Sequence, residues 1–178
     1  PSMIKTTCIG AYPKPEFVAL PDWFTTPEGT DTSDPTKWWA DAMAAMGDEA
    51  ENIISKGVAE VLADQEHAGI DIPTDGEVPR ENYIHYHCRH LEGIDFSNLT
   101  EKSLRNGAYA ARLPTIRAPV RALGPFLSHD WRRAQKLTRR QVKITMPGPM
   151  TIGDTTADAY YDDPRLRGAD LADALNRE

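Results

Sequence analysis

Two cysteines in 178 residues are few. Cys8 and Cys88 cannot build the disulfide framework of a small secreted domain. The opening PSMIKTT has one lysine and no long apolar stretch, so it does not read as a secretion signal. No apolar run approaches the ~18 residues of a membrane-spanning helix. Basic charge is also in deficit. Twenty Lys and Arg face 27 Asp and Glu, a net charge of −7, whereas a nucleic-acid binder carries a basic excess. The one basic segment, RRAQKLTRR at 132–140, reads as a solvated helix face. The expectation is a cytoplasmic, reduced protein that binds neither membrane nor nucleic acid.

What is present is ordinary for a globular chain: 40% hydrophobic and 26% charged residues. The length suits one domain over 1–178. Residues 6–11, TTCIGA, read as a strand that ends at the prolines of YPKP. Residues 21–47, rich at first in Pro, Gly, Thr and Asp, read as a surface excursion. Its tryptophans Trp23, Trp38 and Trp39 form either a lid or an anchor. Residues 48–68 form the best helix, with Ile53, Ile54, Gly57, Val58, Val61 and Leu62 at three- and four-residue steps and a stop at Ala68-Gly69. A strand over 70–77, IDIPTDGE, follows, then a helix over 79–92 opened by Pro79 and closed by Gly93. Glycines and prolines break 94–128. A helix over 128–140 takes Ser128 as its N-cap. QVKITMPGPMTI at 141–152 reads as a strand, and a last helix starts at Pro164. Strand-then-helix, three times over, predicts an α/β fold. It is either the first three to four units of a TIM-type (β/α)8 barrel or a smaller doubly wound sheet. A full barrel needs about 250 residues, so the barrel reading makes this the N-terminal part of a longer chain.

In such barrels chemistry sits at the carboxyl ends of the strands. Here those ends are IGAYPKP, TDGEVPR and PGPMTIGD. Asp75 and Glu77, two apart on a strand, point the same way. They line a binding site or complement the start of the next helix. Arg80 pairs with them or meets substrate. Thr151, Asp154 and Thr155 line a pocket or make a turn. Lys143 points into the barrel or to a solvated edge. HYHCRH at 85–90 has the ligand types zinc prefers. On a helix, however, His85 with Cys88 and His87 with His90 form two pairs that face different ways, so the four cannot share one ion. Cys88 falls on the Ile84–Leu91 apolar stripe and reads as core.

Three segments, in order, carry a family resemblance. TTCIGAYPKPEF, HAGIDIPTDGEVPRENYIHYHCRHLEGIDF and QVKITMPGPMTI resemble the C-terminal catalytic barrel of the cobalamin-independent methionine synthases, and the TDGE form resembles the short single-barrel members. The resemblance implies a zinc-dependent methyltransferase that moves a methyl group to a small thiol such as homocysteine. Glu77 matches the glutamate that holds the amino group. Ile9, Gly10 and Ala11 match the backbone that cradles the carboxylate, with Ala11 where the family has serine. Thr155 stands where folate-using members have a stacking tryptophan, and the Ser-Arg-Cys folate segment has no clear match around 110–120. Tyr160 and Tyr161 offer another stacking surface or simply pack. The methyl donor, folate or corrinoid, stays open. The family's zinc ligands would lie beyond residue 178, so no metal ligand is assigned here. Other readings are a different thiol alkyl transfer, a metal-free decarboxylase-like reaction, or a non-catalytic half-barrel that pairs with its C-terminal half.

Overall fold

A computed structural model describes residues 4–22, 24–25, 34–104 and 106–178. The three segments expected as strands run side by side and parallel. Thr7 bridges Ile72, and Thr74 bridges Lys143. The Ile72 amide donates to Thr6 O at 3.0 Å and the Lys143 amide to Pro73 O at 2.9 Å. The ladders are short, and Pro73 brings no N–H to the middle one.

Helix α1 (Asp34–Met46), a 3-10 turn (Gly47–Glu49) and α2 (Ala50–His67) separate the first two segments. The excursion of 21–47 is therefore helical over its last part. Trp39, Met43 and Met46 pack on the core around Val58 and Val61, and the Trp39 indole N–H donates to Pro79 O at 2.7 Å. Anchoring, not a lid, is the part played by Trp39; Trp23 and 26–33 lie outside the described residues. Helix α2 buries Ile54, Gly57, Val58, Val61, Leu62 and Gln65, the face that its periodicity marks. Gln65 clamps the second segment through its amide, accepting from the Thr74 N–H and donating to Thr74 O, each at 2.9 Å.

The helix expected over 79–92 is shorter. Helix α3 spans Tyr83–Cys88, and its N-cap is Asn82, whose side chain accepts from the Ile84 and His85 amides. Pro79 lies in the turn before it. Gly93 does not close a helix. It lies in β1 (Leu91–Leu104), which pairs antiparallel with β2 (Tyr109–Ala122). The stretch read as broken is thus a long hairpin. Its register shifts between Glu92 and Ile94, opposite Pro119, and between Asp95 and Thr100, opposite Pro114. Both prolines fall where the ladder asks for no N–H, which is how a strand tolerates them.

Helix α4 spans Leu127–Gln135 and follows Phe126. Ser128 is inside it and is not the cap. The Glu178 carboxylate instead accepts from the Phe126 and Leu127 amides. The third segment gives way to α5 (Pro149–Thr155) as soon as Pro149 can start a helix. β3 (Ala157–Asp158) then adds in parallel to β2. Helix α6 (Pro164–Leu175) is capped by Asp163, whose carboxylate accepts from Arg165 N at 2.8 Å. It packs with α3, α5 and the hairpin around Ile116, Ile152 and Leu171.

Candidate active site

A cavity of about 920 Å³ opens at the carboxyl ends of the three parallel segments. One wall carries Ile9, Ala11, Lys14, Glu77 and Thr145. The other carries Asn82 and His85 from α3's start, Thr151, Asp154 and Thr155 from α5, and Lys102, Ser103, Leu104 and Asn106 from the hairpin. The hairpin is a side of the site, which the reading of 94–128 as broken chain does not anticipate.

The turn after the second segment shapes the first wall. Gly76 has φ +67° and Glu77 φ +54°. A left-handed glutamate is uncommon and strained. Its partners hold it there. The Asp75 carboxylate accepts the Glu77 N–H at 3.0 Å. Thr74 Oγ1 accepts the Gly76 N–H at 3.1 Å and donates to Gly10 O at 2.7 Å. Gly76 must be small as well as left-handed, since a Cβ there would sit 2.5 Å from Val61 Cγ1.

The strand geometry that would point Asp75 and Glu77 the same way therefore fails, because the strand has ended before Glu77. Glu77 faces the cavity. Asp75 is buried behind it and does not line it. Burial pushes the Asp75 carboxyl up, against the pull of Arg80. Arg80 is also buried. Its Nη1 donates to Thr145 O and Oγ1, both at 3.0 Å, and stands 3.9 Å from Glu77; its Nη2 stands 3.8 Å from Asp75. Thr145 Oγ1 donates to Glu77 Oε1 at 2.6 Å. Burial lowers the Lys14 ammonium, while Asp22, Glu77, Glu81 and Asp75 pull it back.

The remaining candidates fall as follows. Ile9 stands at the rim, 95% exposed. Gly10 contributes by being small, because Glu77 Oε1 would meet its Cβ at 2.4 Å. Thr155 Oγ1 donates back to Thr151 O at 2.8 Å, so its hydroxyl is committed within α5. Lys143 reaches across the segments to donate to Cys8 O. Tyr161 packs away from the cavity: its hydroxyl donates to Asp170 at 2.5 Å and accepts the Val120 N–H.

HYHCRH divides. His85 lines the cavity, with Nε2 3.3 Å from Thr155 O. His87 is buried beside Phe126 with Nδ1 on Tyr83 O, and burial, then Arg80, lowers it to about 3. His90 stacks on Phe126 at 3.7 Å between centroids. Among the described residues no three His, Cys, Asp or Glu side chains are grouped to hold a metal. Cys88 is pushed up to about 12 by burial, the reverse of what a zinc thiolate needs. The described residues do not form a zinc site. Sequence reasoning weighed His85 only as a metal ligand, and missed Lys14, Asn82, Thr145 and the hairpin. Only the Asn106-Gly107 pair, a strong hairpin-turn signal, marked any of these.

Residues 4–177 match the family model described as cobalamin-independent synthase, catalytic domain. The chain belongs to this family. Methionine synthase of Sulfolobus acidocaldarius is 26% identical over 178 residues, covering 99% of this chain and 47% of that one. Methionine synthase of Sulfurisphaera tokodaii is 27% identical over 183 residues, with the same coverage. Among solved structures, the B12-independent methionine synthase from Shewanella sp. W3-18-1, in complex with selenomethionine, superposes with a TM-score of 0.78. It is 28% identical, and the match covers 98% of this chain and 47% of that one. The chain thus spans about half the length of the relatives it matches. Its parallel segments are part of a TIM-type barrel, not a doubly wound sheet.

Proposed function

We propose that this chain supplies the amino-acid-binding half of a methyltransferase that moves a methyl group to a small thiol such as homocysteine. One observation carries the reading: Glu77 is forced by a strained, fully bonded turn to aim its carboxylate into a cavity at the strand ends. A carboxylate fixed there suits a ligand ammonium. The backbone of Ile9, Gly10 and Ala11 borders the same wall and would face the ligand carboxylate. Arg80 lines the cavity beside Glu77, and Asp75 acts behind it. Thr151, Asp154 and Thr155 border the far end, where a methyl donor would lie. The relatives' names support the reaction, and the selenomethionine named with the solved relative supports a sulfur amino acid as ligand. The zinc ligands are expected beyond residue 178. No helix among the described residues is long and apolar enough to cross a membrane, and a cytoplasmic enzyme fits that.

The test uses the natural full-length chain with homocysteine and, in parallel, methyltetrahydrofolate and a methylated corrinoid. Glu77→Gln is expected to cut kcat/KM by about a hundredfold, since a charged hydrogen bond is lost at a desolvated site. Wild-type rates in that variant would sink the reading. Ala11, which lacks the family's hydroxyl, favours a second thiol as the runner-up. Comparing homocysteine with other small thiols decides between them, because an unmade hydrogen bond changes which substrate a site rewards.

A further inference from the structure

Glu77 cannot by itself hold the position that the proposed function asks of it. Its carboxylate is on a flexible side chain, carried by a backbone with φ +54°. Two neighbours from other segments limit it. Gly10, on the first segment, leaves room: an added Cβ would stand 2.4 Å from Glu77 Oε1 and 2.9 Å from Thr145 Cγ2. Thr145, on the third segment, provides the grip, with its hydroxyl 2.6 Å from the same oxygen.

That hydroxyl has one proton and it goes to Glu77. Its lone pair is taken by the buried Arg80, whose Nη1 lies 3.0 Å away. The direction is therefore set: Arg80 donates to Thr145, and Thr145 donates to Glu77. Arg80 stands 3.9 Å from Glu77 and gives no direct hydrogen bond to it. Arg80 is itself tied to the third segment through Thr145 O. Such a chain polarises each bond in turn and fixes its end group. One Glu77 oxygen is committed to Thr145, and the other is left to meet a ligand.

We infer that Thr145 is the positioning residue for amino-group recognition, a hydroxyl relay that transmits Arg80's charge and holds Glu77 in place for the ligand ammonium. The inference rests on the reading of Glu77 as the ammonium's partner. It adds a residue that touches neither the methyl group nor the thiol. Threonine suits the role on two counts: the hydroxyl relays, and the methyl Cγ2 packs on Gly10. Valine keeps the shape and loses the relay. Serine keeps the relay and loses the methyl.

The experiment is calorimetric titration of the natural full-length chain with two probes, L-methionine and its des-amino analogue 4-(methylthio)butanoate. In the wild type L-methionine is the tighter ligand. Thr145→Val is expected to weaken L-methionine roughly tenfold and the analogue by less than about twofold, the scale of one charge-assisted hydrogen bond. Thr145→Ser is expected to restore the preference. Unchanged L-methionine binding in Thr145→Val overturns the inference. So does equal loss of both probes, which a merely structural role would give, and so does a Thr145→Ser variant that behaves like valine. If Thr145→Val does not fold, Thr145→Ala decides against Thr145→Ser, since the two differ only in the hydroxyl and the alanine variant should show the same selective loss. Glu77→Gln separates the two ideas. If it keeps the preference, the reading of Glu77 fails. If it loses the preference while Thr145→Val keeps it, only the relay fails.

Discussion

The Cys88 thiol lies among Ile84, Leu91 and Ile116 with no exposed surface, and burial pushes it up to about 12. At pH 8 its thiolate fraction is on the order of one in ten thousand. Cys8 is half-buried near the rim. Alkylation of the native protein at pH 8 should therefore label the peptide carrying Cys8 and spare the one carrying Cys88. Urea should expose both, as peptide mass mapping would show. HYHCRH is understood at the same residue scale. Its composition suggested a metal, and helix spacing already argued that its four side chains diverge. Their destinations, one to a cavity and the others to packing, depended on neighbours far along the chain.

At the scale of elements, the hairpin matters most to the site. Lys102 on β1 donates to Gly153 O, Asp154 O and Thr156 O, at 3.1, 2.8 and 3.0 Å. These carbonyls lie at the end of α5, where a helix has acceptors to spare and favours a cation. One side chain thus latches the hairpin to α5 within one wall of the cavity. Lys102→Met should raise amide hydrogen exchange at the hairpin tip about tenfold while leaving α2 unchanged. Mass-resolved exchange by segment is the check, and uniform acceleration would mean global destabilisation. Helix α2 was legible because its buried face repeats at the helical period. The hairpin was less so, since Pro114 and Pro119 are breakers in any local reading. Only the register of the partner strand shows that they sit at its irregularities. Asn82 was likewise hidden, because Pro79 offered an earlier and equally reasonable start.

At the scale of the whole molecule, His87 reports on how the parts close together. Tyr83, Phe126 and Arg80 surround it, from α3, the start of α4 and the turn after the second segment. Burial lowers it to about 3 from an ordinary 6.5. The unfolded chain therefore takes up a proton near pH 6.5 that the folded chain refuses until about 3. Stability from this group is complete above 6.5 and is lost as pH falls through that window. Asp75 works the opposite way. Burial raises its carboxyl, so its contribution is greatest in acid and fades as pH rises. His87→Gln should show a smaller loss of urea midpoint between pH 7 and pH 5 than the wild type. Equal losses would mean that His87 does not control the acid limb.

The sequence by itself determined the three parallel segments, the best helix and its stop, the family, and the stretch TDGE as the place to look. These depend on period, on turn-forming residues and on motif order, all of which are local or collinear. Tertiary structure alone decided that Glu77 leaves the strand in a left-handed turn, that Asp75 goes behind it, and that Thr145 and Gly10 meet the same carboxylate oxygen. Those facts follow from three segments 68 residues or so apart being laid parallel. A buried charge must find its hydrogen bonds wherever the fold brings a donor, and no local pattern says which donor that will be.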